Sequence, residues 1–121
     1  MTHRNCRDAA PFEAPDGSTI REFLNPRNSV LRNQSLAQAT LAPGQSTTRH
    51  FHPRAEEIYF LLSGRGQMSL ENERFEVNAG DAIAIPSGKN HTICNTSESQ
   101  DLVFLCCCAP AYSDEDTVLS E

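Results

Sequence analysis

The chain has 121 residues, a formal net charge of -6 and a sequence pI near 5.1. This length fits one domain with a single core, since domains most often run to about 100–150 residues. The acidic balance and the lack of any Lys/Arg cluster argue against a nucleic acid or an anionic membrane surface as the main partner, because both require a concentrated basic patch.

Targeting and cysteine patterns point to an intracellular protein. No segment approaches the roughly 20 apolar residues of a membrane span, and the first seventeen residues lack the apolar stretch of a secretory signal. The five cysteines are odd in number and include the consecutive run 106–108, which does not fit a spaced disulfide framework. We therefore predict reduced thiols and a cytoplasmic location.

The order of segments predicts a short arm followed by an all-β domain. Residues 1–17 contain two prolines and a glycine with little periodicity, and are predicted to form an N-terminal arm. Residues 18–121 form the single domain, in which short runs of β-forming residues end at Gly, Pro, Asn or Asp, as in a sandwich or barrel. The stretch "ENE" at 71–73 is typical of a tight hairpin.

The C-terminal segment predicts one helical turn. Pro110 ends the last strand, and Ser113 is a suitable N-cap followed by three acidic residues. We expect a short helical turn over about 113–119, with a frayed acidic tail as the alternative.

The stretch "RHFHPRAEEIYFLLSG" at 49–64 contains a possible metal site. Side chains alternate faces along a strand, so His50 and His52 share one face, about 7 Å apart at ~3.4 Å per residue. If the next strand is a neighbour, Glu57 completes a set of two imidazoles and a carboxylate, which suits borderline divalent ions. Two exposed surface histidines are the alternative.

Two longer patterns carry a family resemblance. Residues 44–64 read G-x5-H-x-H-x4-E-x6-G, and residues 80–95 read G-x5-P-x-G-x2-H-x3-N, with fifteen residues between them. Together they resemble both signature motifs of the cupin superfamily at every defining position, within a match over about 36–108. The chain is thus similar to small single-domain cupins.

The resemblance implies a fold and a ligand set. The fold is a double-stranded β-helix, a jelly-roll barrel, here with the N-terminal arm and the C-terminal helical turn. The ligands are His50, His52, Glu57 and His91, holding one divalent ion of Fe, Mn, Ni or Zn. A shift of the strand by one residue would make Glu56 the ligand instead.

The remaining motif residues are interpreted as structural. The glycines fit turns that require positive φ, Pro86 stiffens the loop that carries His91, and Asn95 ties the end of its strand to a neighbouring turn. The four glycines are Gly44, Gly64, Gly80 and Gly88.

Several further residues are candidates for the pocket. Tyr59 shares a face with Glu57 and is a candidate general base beside the metal, or else a wall of the pocket. Gln38 and Thr40 line the pocket or face water, Lys89 attracts an anionic substrate or is an ordinary exposed cation, and Tyr112 covers the barrel mouth or anchors the surface.

The cysteines of the last long strand and the apolar rows on several strands lead to two further predictions. Cys106 and Cys108 share one face of the last long strand, either as buried apolar groups or near the metal. Strands with apolar residues on both faces predict that something covers the outer face, and a homodimer is expected.

The function that follows is metal-dependent catalysis on a small polar substrate, carboxylate-like or sugar-like, by lyase, isomerase or dehydratase chemistry. An iron-dependent dioxygenase and a non-catalytic module that binds a small molecule are the alternatives. The ligand set by itself does not choose among them.

Overall fold

The computed structural model describes residues 2–120 and confirms the all-β prediction. Short strands follow one another with tight connections, and two 3-10 turns lie near the ends, at Cys6–Asp8 and Asp114–Asp116. The strands are β1 Phe12–Glu13, β2 Thr19–Leu24, β3 Ser35–Leu41, β4 His50–Phe51, β5 Glu56–Ser63, β6 Arg65–Leu70, β7 Glu73–Asn78, β8 Ala82–Ile85, β9 His91–Asn95, β10 Leu102–Ala109 and β11 Val118–Leu119.

Two antiparallel sheets form the jelly-roll barrel that was expected. One sheet has the order β1-β2-β3-β10-β5-β8 and the other β11-β4-β9-β6-β7. The N-terminal arm contributes β1, in which Phe12 pairs with Ile20 of β2. The arm therefore extends the first sheet at the edge of the barrel.

The alternation of buried and exposed side chains along β5 shows which residues face the inside of the barrel. Glu57, Tyr59 and Leu61 are buried, whereas Ile58 and Phe60 between them are exposed. The same two-residue period in the other strands builds one core that adjoins the site. Its fully buried large side chains are Leu41, Leu61, Met68, Ile93, Leu102 and Phe104.

The predicted turns are present. Residues 71 and 72 connect β6 to β7, with Leu70 paired to Glu73, and Glu71 takes a left-handed φ of 52°. Gly64 has φ 90°, and a Cβ there would lie 2.5 Å from the carbonyl oxygen of Asp101. That turn therefore requires glycine for both conformation and space.

The C-terminal segment differs from the expected helical turn over 113–119. Ser113 acts as the predicted N-cap, because its hydroxyl accepts a hydrogen bond from the Asp116 N–H at 3.2 Å. The helical part is only the 3-10 turn Asp114–Asp116, since the next residues pair as β11 with His50 and Phe51 of β4. Backbone pairing at a sheet edge satisfies the groups that a longer helix would otherwise have bonded.

Within residues 2–120, no helix is long and apolar enough to cross a membrane. The cytoplasmic location stays a prediction.

Candidate metal centre

The structure brings three histidines together inside one end of the barrel. His50 on β4 pairs directly with His91 on β9, and His52 follows two residues later on the same face as His50. All three are at most 4 % exposed, and one ring nitrogen from each lies within 4.8 Å of the others. Strand pairing therefore joins residues that are about forty positions apart in the chain.

Each imidazole is oriented by a backbone carbonyl. Because a carbonyl oxygen only accepts, each Nδ1 donates its proton, and Nε2 is the nitrogen left to coordinate a metal or, in the metal-free protein, to take up a proton. Such contacts are typical of metal-ligating histidines. The pairs are His50 Nδ1 to Thr48 O at 2.7 Å, His52 Nδ1 to Asp116 O at 3.1 Å and His91 Nδ1 to Lys89 O at 2.9 Å.

Glu57 adds a carboxylate to this cluster. Its Oε1 lies 3.3 Å from His52 Nε2 and 3.6 Å from His91 Nε2, while its Oε2 accepts a hydrogen bond from the Cys108 thiol at 3.2 Å. Among the described residues, Glu57 Oε1 and His91 Nε2 are buried side-chain atoms without a hydrogen-bond partner. The neighbouring Glu56 is exposed. Three imidazole nitrogens and one carboxylate oxygen fit a divalent transition metal.

The charges in the cluster shift the pKa values of its members. Burial alone would raise the pKa of Glu57, but its contacts with His52 and His91 outweigh burial and lower the pKa to about 2. Burial opposes protonation of His52, yet the Glu57 carboxylate prevails and raises the pKa of that imidazole. For His50, burial and the neighbouring His91 lower the pKa. Glu57 is consequently a carboxylate at neutral pH.

A small cavity of about 40 Å³ lies against the cluster. Its wall is mostly apolar, with Phe12, Ile20 and Phe104 among the side chains that line it. Of the four candidate ligands, His50, His52 and Glu57 line it, whereas His91 is fully buried beneath. A small ligand in this cavity thus lies beside three of the four candidate ligands.

Tyr59 lines this cavity and is 2 % exposed. Its ring packs against Phe104 at 4.7 Å between centroids and against His91 at 5.9 Å. Burial and the charge of Glu57 raise the pKa of Tyr59 well above its usual range. The phenol therefore stays protonated at neutral pH in the metal-free protein, and the role of base beside a metal stays a prediction.

Of the other residues predicted to line the pocket, one lines the cavity and three do not. Tyr112 lines the cavity, and its hydroxyl donates to Asp114 at 3.0 Å. Gln38 and Thr40 do not line the cavity, because Ala37 and Ala39 take the inward positions on β3. Lys89 contributes its carbonyl to His91, but it is not among the lining residues either.

The cysteines of β10 follow the strand alternation. Cys106 and Cys108 line the cavity, and Cys107 does not. Burial raises the pKa of both lining thiols, and the charge of Glu57 adds to the effect. All five cysteines are free, so Cys108 serves here as a protonated donor to Glu57.

Two aspartates belong to the site although the sequence did not single them out. Asp16, in the turn between β1 and β2, places Oδ2 3.8 Å from His50 Nε2. Asp116 orients His52 through its carbonyl, and its carboxylate accepts hydrogen bonds from the N–H groups of Arg54 and Ala55. Both lie outside the two motifs, and only strand pairing shows their proximity.

Comparisons with known proteins agree with this architecture. The family model described as "Cupin domain" matches residues 37–108. An uncharacterized protein of Methanocaldococcus jannaschii is 47% identical over 111 residues, which cover 92% of this chain and 88% of that protein. An oxalate decarboxylase of Arthroderma benhamiae is 30% identical over 105 residues, covering 82% of this chain and 25% of the enzyme. The chain thus matches about a quarter of that enzyme.

A solved structure of a Streptomyces PAC13 variant with uridine is similar in fold. It has a TM-score of 0.82 at 17% identity and covers 100% of this chain and 92% of that chain. Pac13 is described as a nucleoside dehydratase. At this level of identity the similarity shows the fold alone.

Proposed function

This chain belongs to the cupin domain family, and from that premise we propose that it is a metal-dependent enzyme acting on a small polar substrate. The observation that carries the proposal is a cluster of three buried histidines beside a cavity, with ring nitrogens within 4.8 Å of one another and Glu57 Oε1 at 3.3 and 3.6 Å from His52 and His91 Nε2. Among the described residues, Glu57 Oε1 and His91 Nε2 have no hydrogen-bond partner, a costly arrangement that a bound cation would relieve.

We assign the metal ligands as His50, His52, Glu57 and His91. A divalent ion held there supplies Lewis-acid polarisation of a substrate oxygen. The chain's own groups handle the protons. Tyr59 and Asp16 both line the cavity, and we assign proton transfer to them, with Tyr59 acting as the protonated phenol and Asp16 through Oδ2.

A proton donor and a proton acceptor in one cavity favour lyase, isomerase or dehydratase chemistry, in which a proton leaves one substrate atom and another is delivered to a leaving oxygen. The cupin relatives include an oxalate decarboxylase, and a nucleoside dehydratase shares the fold. Iron in the site would favour the dioxygenase alternative.

Elemental analysis tests the metal site first. Protein purified without chelator or metal-affinity resin is compared with a His50→Ala/His91→Ala double variant. We expect near-stoichiometric Fe, Mn, Ni or Zn in the wild-type protein and none in the variant. Absence of metal from both, even after reconstitution, would contradict the proposal.

A substrate screen with variants tests catalysis. Candidate small polar substrates are incubated with the metal-loaded protein and with Tyr59→Phe, which keeps the ring but removes the proton. Turnover that falls at least a hundredfold in Tyr59→Phe, with metal content unchanged, supports an enzyme. Tight binding of a ligand without product would instead indicate the non-catalytic module.

We also propose that a second copy of the chain covers the outer face of β5. Ile58, Phe60 and Leu62 form a continuous apolar row there, 51%, 40% and 44% exposed. Such a row on a strand flanked by β10 and β8 can pair with its own copy about a two-fold axis. Light scattering should give twice the mass of one chain, and Phe60→Lys should give a monomer, whereas Gln67→Lys on the outer face of β6 should not.

A further inference from the structure

We propose that Asp16 makes the cavity reject small anions, so that the substrate is an uncharged molecule that donates a hydrogen bond. This rests on the proposed function, since it concerns what approaches the metal centre. It narrows the proposed substrate from a carboxylate-like or sugar-like molecule to a sugar-like one.

The orientation of Asp16 is held by three hydrogen bonds. Its Oδ1 accepts from the Ser18 N–H at 3.0 Å and from the Ser18 hydroxyl at 2.6 Å, and its main-chain oxygen accepts from the Thr48 N–H at 2.7 Å. Because Oδ1 is occupied, Oδ2 is the free oxygen, and it lies 3.8 Å from His50 Nε2. The arm thus holds a charged acceptor against the metal centre.

The wall of the cavity contains carboxylates and no compensating cation. Asp16, Glu22 and Glu57 line it, and no Lys or Arg does so among residues 2–120. Glu22 is already paired, since its Oε2 accepts from Asn25 at 2.8 Å and lies 3.5 Å from the Arg27 guanidinium. Asp16 and Glu57 are therefore the carboxylates nearest the site that no Lys or Arg among the described residues compensates.

The charge balance decides which ligands are favoured. Two carboxylates neutralise the two positive charges of a divalent ion, so an incoming anion gains no net attraction and still loses its hydration. At the same time, a free carboxylate oxygen is an acceptor that pairs with a hydroxyl or N–H donor. The largely apolar remainder of the wall accommodates the body of such a ligand.

The predicted consequence is a change of selectivity in Asp16→Asn, which keeps a carbonyl acceptor for Ser18 but removes the charge. Wild-type and variant proteins are reconstituted with cobalt(II), and visible absorption follows titration with azide, an anion, and with imidazole at pH 8, an uncharged ligand. We expect azide to bind at least tenfold more tightly to the variant and imidazole to gain no affinity, because its N–H loses the charged acceptor at Oδ2.

Control variants separate the effect of this charge from general effects. Glu22→Gln removes a carboxylate that Asn25 and Arg27 already compensate, and it should change azide affinity less than threefold. Asp16→Ser, which keeps a side-chain oxygen in the turn, should behave like Asp16→Asn and provides a second test if the amide variant does not fold.

The outcomes are distinguishable. Equal azide affinity in wild-type, Asp16→Asn and Asp16→Ser proteins that each hold one cobalt ion would overturn the role of Asp16 and leave the metal centre intact. A parallel rise in imidazole affinity would also overturn it, because the effect would then be access and not charge. Failure of the wild-type protein to bind cobalt would contradict the proposed function itself.

Discussion

Strand β9 carries a buried polar side chain at each end, and the two side chains differ in their hydrogen bonding. Asn95, at one end, has Nδ2 bonded to the carbonyls of Leu41 and Gln100 at 3.0 and 2.8 Å, and Oδ1 bonded to the Ser97 N–H at 2.9 Å. His91, at the other end, has an Nε2 without a hydrogen-bond partner within residues 2–120, and so has the Oε1 of Glu57 beside it. Both side chains of β9 are 0% exposed.

The difference separates a polar group that holds the fold from one that is available to a ligand. A buried polar atom without a partner costs about 1–3 kcal/mol, so a structure retains it only where another interaction compensates. At the Asn95 end, the compensation comes from the chain itself. At the His91 end, three clustered histidines beside the Glu57 carboxylate could hold a cation.

Asn95→Ala should have the largest effect on stability. It leaves two carbonyls and one N–H in the interior without their partner, and we expect a loss of about 4 kcal/mol in the free energy of unfolding. Urea denaturation measures this loss, and metal stoichiometry of the folded fraction should stay unchanged. Asn33→Ala, at an exposed loop position, is the matched control and should cost less than about 0.5 kcal/mol. Equal losses in the two variants would contradict the distinction between the ends.

The stability of the metal-free protein should depend on pH through Glu57. Its pKa is lowered from 4.5 to about 2 in the folded protein, so the ionised carboxylate stabilises the fold above pH 4.5. This contribution is lost as pH falls from 4.5 towards 2, and the shift corresponds to at most about 3 kcal/mol at 1.36 kcal/mol per unit.

The measurement compares urea midpoints of wild-type and Glu57→Gln proteins after EDTA treatment, from pH 7 to pH 2. The difference between them should shrink through that interval. Glu56→Gln is a close control, because the adjacent carboxylate is exposed, and its difference from wild type should stay near zero at every pH. If the difference in urea midpoint between the wild-type and Glu57→Gln proteins stays constant from pH 7 to pH 2, the pKa of Glu57 is not lowered.

A smaller effect should come from Cys108, which holds Glu57 by its thiol hydrogen bond to Oε2. Groups that orient a metal ligand typically contribute 10–100-fold to affinity. Since a thiol is a weak donor, we expect Cys108→Val to weaken zinc binding about tenfold and Cys108→Ser, which keeps a donor, less than threefold. Competition with a chromogenic chelator measures the zinc affinity of both variants. If Cys108→Val and Cys108→Ser weaken zinc binding equally, packing at this position matters and the hydrogen bond does not.

Much of the fold was predictable because its signals are local. Alternation in "EEIYFLLS" separates Glu57 and Tyr59 from Ile58 and Phe60, and the structure shows that separation in burial. Strand ends coincide with turn residues, as at Gly64, and Asn95 ties its strand end as expected. The same alternation did not predict on which face of β3 Gln38 and Thr40 lie, because the middle of this strand is only partly buried on both faces.

The sequence by itself determined the β-rich architecture, the spacing of His50, His52, Glu57 and His91, and the hairpins, because each follows from side-chain alternation or from turn conformation over a few residues. Only the tertiary structure decided that Asp16 faces His50 and that the Asp116 carbonyl orients His52. These contacts join residues 34 and 64 positions apart, and they arise from the packing of the arm and of β11 against the barrel, for which no local pattern exists.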